Sequence, residues 1–297
     1  MPDISLRLHK DMLVLSASVD RTLARQGVDT ERDLGYHVLM EPEALVEALR
    51  LEVLAGAQCV VAPTRFLAPA RLAAFRMEGD GPRLARAACA LVAELPVQHT
   101  FVEIGPCGLP LDPSSKASLN ENRDQYARAA RCFADERIDA FFLNGFRSEA
   151  DLRCALMGVA QVDGRPVAAS VDLDGSGALA GTAARETLEH AGALMADLGA
   201  TVAGFATAEP TERAAQLTRA LADASGLPVM AQLVVNPSKE RTRFAPADDT
   251  YGHPDSLVKA AVELYGAGAQ FLRAIGAATS AHTGALAATV SGLDVRR

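Results

Sequence analysis

Ala140-Phe-Phe-Leu143, the segment Glu149 to Ala160, and Val167-Ala-Ala-Ser-Val-Asp172 form the stretch that decides the fold. Two short runs rich in Phe and Val bracket a segment of helical periodicity. Runs of four to six nearly continuous apolar residues mark strands buried on both faces. Such strands belong to parallel sheets, where a helix carries the chain back from the end of one strand to the start of the next.

The same alternation extends along the chain. The other strand candidates are Met12 to Ser16, Gln58 to Ala62, His99 to Ile104, Val202 to Ala206, Val229 to Val234 and Gln270 to Ile275. The other helix candidates are Pro42 to Leu54, Pro82 to Leu95, Asn120 to Glu136, Ala183 to Leu198, Pro210 to Ser225, Pro254 to Gly266 and Ser280 to Thr289. Eight βα units in 297 residues predict an α/β protein built as a single (β/α)8 TIM barrel. An open doubly wound sheet is the alternative. No Pro/Gly/Ser-rich tract divides the chain, so residues 1–297 read as one domain. Gly56-Ala57, Gly199-Ala200 and Gly268-Ala269 stand just before strands and read as helix stops.

Composition narrows the function. A formal net charge of -8, with Lys and Arg scattered, argues against sequence-independent nucleic-acid binding. No apolar run approaches the roughly 18 to 20 residues that span a bilayer, and the first ten residues lack a signal-peptide core. The five cysteines, Cys59, Cys89, Cys107, Cys132 and Cys154, have no CxxC spacing. A reduced, cytoplasmic protein is the expectation. Two loops, Val28 to Glu41 and Asn236 to His253, fall where a barrel builds its mouth. The second carries Lys239, Arg241, Arg243, Asp248, Asp249, Tyr251 and His253, and reads equally as a solvated loop or oligomer contact and as a cover over a ligand.

Several blocks occur in the order found in one known family. They are Val14-Leu-Ser-Ala-Ser-Val-Asp-Arg-Thr-Leu-Ala-Arg-Gln-Gly27, Ala55-Gly-Ala57 with Val60 to Phe66, Glu103-Ile-Gly-Pro-Cys-Gly108, Ile138 to Leu143 with Ser148-Glu-Ala150, and Asp172-Leu-Asp-Gly-Ser-Gly177 with Gly181. Together they resemble the homocysteine S-methyltransferase family over nearly the whole chain. That resemblance implies a barrel that methylates a thiol, with Zn2+ on three cysteines to generate the thiolate. The corresponding positions here read Thr207, Ile275 and Gly276, so no zinc cofactor is expected. The resemblance also places an acidic residue where Asn144 stands, followed by Gly145.

The resemblance therefore implies a retuned pocket, with Arg21, Glu103, Asn144, Asp172, Thr207, Gln232 and Arg273 as candidate substrate-binding residues. Arg21 and Arg273 would clamp an anionic group, unless either pairs with Asp20 or Glu103. Cys107 is the one cysteine in a mouth loop and a candidate reactive thiol. An oxygen-ligand metal site could use Glu103, Asn144, Asp172 and Asp174, although aspartates in such loops more often cap turns. No Lys falls on an inward strand position for Schiff-base chemistry, and His253 is the one histidine near the mouth. Two functions stay open. One is a zinc-independent methyltransferase with a changed substrate, served by a corrinoid protein or a sulfonium donor. The other is a catalytically silent barrel that binds a small anionic metabolite or a partner subunit. Homo-oligomerisation is compatible with either.

Overall fold

The computed structural model describes residues 3–181, 186–236 and 250–294. Eight strands alternate with helices: β1 (Leu13–Val14), β2 (Cys59–Ala62), β3 (His99–Ile104), β4 (Ala140–Phe146), β5 (Val167–Asp172), β6 (Val202–Thr207), β7 (Val229–Val235) and β8 (Ala269–Gly276). The helices are α1 (Asp20–Arg25), α2 (Leu34–Met40), α3 (Pro42–Leu54), α4 (Pro69–Ala74), α5 (Gly81–Ala93) and α6 (Lys116–Arg131), then α7 (Glu149–Ala160), α8 (Leu188–Asp197), α9 (Thr211–Ser225), α10 (Pro254–Gly266) and α11 (Ser280–Val290).

All strand pairs are parallel, in the order β1-β8-β7-β6-β5-β4-β3-β2. A parallel bridge from Leu15 to Cys59 joins the two ends, reinforced by Gln58 N to Val14 O (3.0 Å) and Ser16 N to Cys59 O (2.9 Å). The sheet is therefore a barrel, and the expected (β/α)8 architecture holds. The open doubly wound sheet is excluded, because such a sheet keeps two free edges.

Local sequence explains the helix starts. Ser115, Ser148 and Thr187 accept hydrogen bonds from the backbone N–H groups of Ser118, Asp151 and His190. These bonds satisfy donors left open in each first turn. Gly226, at φ 66°, stops α9 in the left-handed conformation.

The interior is layered. At the N-terminal end of the strands, Leu13, Leu15, Val61, Phe101, Phe142, Val202, Met230 and Phe271 fill the barrel. A short 3-10 helix (Ile4–Leu6) closes this end by inserting Ile4 into the same cluster. Arg7 fixes it through Asp11 (2.6 Å) and Gln98 (2.6 Å). A second, larger apolar layer lies between the strands and the surrounding helices.

Two corrections to the sequence reading concern a loop and a helix start. The expected loop Val28 to Glu41 contains α2, whose Leu34 and Val38 pack into the outer core. The helix expected from Ala183 begins at Leu188, and residues 183–185 lie outside the described residues. In the loop Asn236 to His253, Lys239, Arg241, Arg243, Asp248 and Asp249 lie outside the described residues as well. Tyr251 is buried and donates to Glu209 O (2.7 Å), while exposed His253 caps α10.

Candidate functional site

Strand alternation places a polar layer directly above the apolar one. On β8 the inward sequence is Phe271, Arg273 and Ile275; on β7 it is Met230 and Gln232; on β5 it is Ala168, Ser170 and Asp172. β4 contributes Phe142 and then Asn144, and β3 contributes Phe101 and then Glu103. Gly145, at φ 82°, sits in the register shift between Leu143 and Phe146, a bulge that bends β4 just past Asn144.

These side chains form one continuous relay. Arg273 Nε donates to Ser16 O (2.9 Å), and its Nη1 donates to Gln232 Oε1 (3.2 Å). Gln232 Nε2 donates to Ser170 Oγ (2.8 Å) and to Asn144 Oδ1 (2.8 Å). Asn144 Nδ2 then donates to Glu103 Oε1 (2.7 Å). Because Arg273 has only donors, it fixes which end of the Gln232 amide faces it, and that choice propagates to Asn144 and Glu103. Burial lowers the pKa of Arg273, and Glu103, Asp20 and Glu52 counter that shift through space. Its guanidinium lies 5.3 Å from the centroid of the Phe142 ring.

The relay opens into a cavity of about 650 Å³ at the C-terminal ends of the strands, within the size range of small-molecule sites. Glu103, Asn144, Asp172 and Arg273 all line it. Gln232 lies beneath it, fully buried. Around the rim, Arg65 Nη1 contacts both carboxylate oxygens of Asp20 (2.7 and 2.9 Å), and Arg65 Nη2 reaches Glu31 (3.0 Å). Ser18 also donates to Asp20. Burial works against the Asp20 carboxylate, but Arg65 and these hydrogen bonds outweigh it and hold its pKa below the usual value. Asp172 behaves oppositely, because burial raises its pKa more than Arg147, 3.2 Å away and largely exposed, lowers it.

Two candidates fall outside this constellation. Arg21 follows Asp20 on α1, and one residue along a helix turns a side chain about 100° away. It does not line the cavity, and its Nε has no partner among the described residues. Arg65 occupies the place expected for Arg21. Thr207 pairs with Leu233, which faces the helices, whereas Ala206 pairs with inward Gln232. Thr207 Oγ1 accepts from Glu209 N (3.2 Å) and does not line the cavity.

Cys107 does not supply a reactive thiol. It is buried, its Sγ contacts Asn122 Oδ1 (3.1 Å), and burial raises its pKa. Asp174 accepts from Ser176 N (2.8 Å) and Ser176 Oγ (2.6 Å), which is a turn cap. Among the described residues no group of three or more His, Cys, Asp or Glu could hold a metal ion.

The donor set can be tested against zinc at the positions that the resemblance singled out. Ile275 and Gly276 line the cavity but offer no ligand atom from a side chain. A Cβ built on Gly276 would stand 2.6 Å from Val235 O, and its φ of 72° is one that L residues rarely adopt. The residues present do not fit a three-thiolate zinc site.

No protein-family model matches the chain, and no curated protein sequence matches it. Solved structures do. The metallated form of the homocysteine methyltransferase MmuM from Escherichia coli aligns with a TM-score of 0.74 at 17% identity, over 94% of this chain and 96% of that one. Its oxidized form aligns with a TM-score of 0.74 at 18% identity over the same shares. The carboxyl transferase domain of Rhizobium etli pyruvate carboxylase aligns with a TM-score of 0.51 at 14% identity, over 91% of this chain and 40% of that one. The chain is thus a TIM barrel similar in fold to a homocysteine methyltransferase.

Proposed function

We propose that this protein is a methyltransferase of the homocysteine S-methyltransferase type whose site works without zinc and whose acceptor is not a thiol. The relay from Arg273 through Gln232 and Asn144 to Glu103 carries this reading. A barrel in simple decay has no reason to keep five interlocked polar side chains, each with its hydrogen-bond partners, beneath an open cavity. Without a thiolate-generating metal, the acceptor must be nucleophilic once it loses a proton, and an amine meets that requirement.

In this reading, a small acceptor with ammonium and carboxylate groups sits between Glu103 and Arg273. Asp172 takes the proton from the acceptor nitrogen. Its raised pKa makes it a better base than an ordinary aspartate. The nitrogen lone pair then attacks the donor's methyl carbon, the new N–C bond forms, and the donor leaves with the electrons of its former bond. The donor would be a methylsulfonium compound or a methyl-corrinoid protein.

The alternative, a silent barrel that binds a small anion, draws on Arg273, which has no ion-pair partner among the described residues. A radiolabelled methylsulfonium donor and, separately, a methyl-corrinoid protein, each incubated with the protein and a mixture of amino acids that includes homocysteine, with and without a zinc chelator, separate the two. Label transfer to an amine supports the methyltransferase. Binding of amino acids without transfer from either donor class supports the silent barrel. Transfer to homocysteine that the chelator abolishes contradicts the zinc-independent site.

A further inference from the structure

We infer that the ligand of the mouth cavity is a basic amino acid, with its carboxylate on Arg273, its α-ammonium on Glu103 and its side-chain cation on Asp151. The inference rests on the reading of this cavity as the substrate site and specifies the class of substrate. Its basis is the charge left over once the residues of the cavity have paired among themselves.

Of the carboxylates lining the cavity, Asp20 and Glu31 are taken by Arg65 and Arg71, and Asp172 by Arg147. Two have no cationic partner among the described residues. Glu103 receives only the Asn144 amide, and Asp151, in the first turn of α7, receives the Tyr126 hydroxyl (2.6 Å). Tyr126 is itself held by Cys107 N (2.9 Å), so the Asp151 carboxylate is positioned from behind. Burial raises the pKa of Asp151, a cost that an incoming cation would offset. On the opposite side stands one guanidinium, that of Arg273, which no carboxylate of the described residues faces at ion-pair distance. The remainder is two negative groups and one positive group. Its complement is a ligand with two cations and one anion.

The walls also say which kind of cation. Among the described residues no aromatic side chain lines the cavity, so a methylated onium group finds no ring face there to rest against. An ammonium or guanidinium brings N–H donors, which two carboxylates can accept.

Isothermal titration of the wild-type protein at neutral pH with L-lysine, L-ornithine, L-norleucine and cadaverine tests this. Lysine or ornithine should bind about tenfold or more tightly than norleucine, which lacks the second cation, and than cadaverine, which lacks the carboxylate. Asp151→Asn, whose amide can still accept from Tyr126, should reduce lysine affinity to that of norleucine and leave norleucine unchanged. A thermal melt checks that this variant folds, and the wild-type comparison decides the matter if it does not. Norleucine binding as tightly as lysine overturns the basic-ligand inference while the amino-acid site stands. Failure of all four compounds to bind overturns both.

Discussion

Within one set of strands, the lower and upper inward positions follow different rules. At the lower level Phe101, Phe142, Met230 and Phe271 exclude water and make the barrel a packed core. Two residues further along the same strands stand Glu103, Asn144, Gln232 and Arg273, the last two fully buried and the first two half-buried, all polar and each held by the next. The lower layer is specified by volume and tolerates exchange of one apolar residue for another. The upper layer is specified by donor and acceptor, and a single exchange propagates along it. That contrast is why we propose the upper layer as the site.

Five substitutions can break or sharpen the contrast. Phe101→Ala, which empties a place beside Phe271, should destabilise the fold by about 3 to 5 kcal/mol in urea titrations and leave ligand affinity unchanged once folded. Gln232→Leu keeps the volume but strands Arg273, Asn144 and Ser170, so a loss of about 1 to 3 kcal/mol is expected. Paired with Asn144→Ala in a double-mutant cycle, it should show strong non-additivity. Two lower-layer substitutions placed far apart should add.

Asp20→Asn tests the rim. Because the folded pKa of Asp20 lies below its ordinary value, its contribution is present above about pH 4 and is lost as the pH falls further. The variant should be less stable at pH 7 by on the order of 1 kcal/mol, and the gap should close in acid denaturation curves. Asp172→Asn should have the smallest effect and the opposite sign with pH. The folded pKa of Asp172 is raised, so its contribution is present below its ordinary pKa and fades as the pH rises through the folded value. Removing it should flatten that decline by a few tenths of a kcal/mol, since Arg147 is largely exposed.

The barrel was legible because strands buried on both faces leave continuous apolar runs, and β3, β5, α3, α7 and α10 fall at the boundaries read from sequence. The 3-10 helix at Ile4–Leu6 was not, because three residues carry no periodicity. Placement at the cavity was legible where inward parity could be counted from a long strand, as for Glu103, Asn144, Asp172 and Arg273, which all line it. It failed at Thr207, one residue out of phase, and at Arg21, on a short helix whose facing is set by tertiary contacts. Arg65 was passed over because its partner Asp20 lies 45 residues away. Asp151 carries no signal of its own in the sequence, because its Tyr126 contact belongs to the fold.

The zinc content of protein purified without chelators or a metal-binding tag tests the central claim most directly. The account predicts no stoichiometric zinc, because Ile275 and Gly276 supply no ligand and position 276 has no room for a side chain. One zinc per chain would contradict it and return thiol methylation to the front.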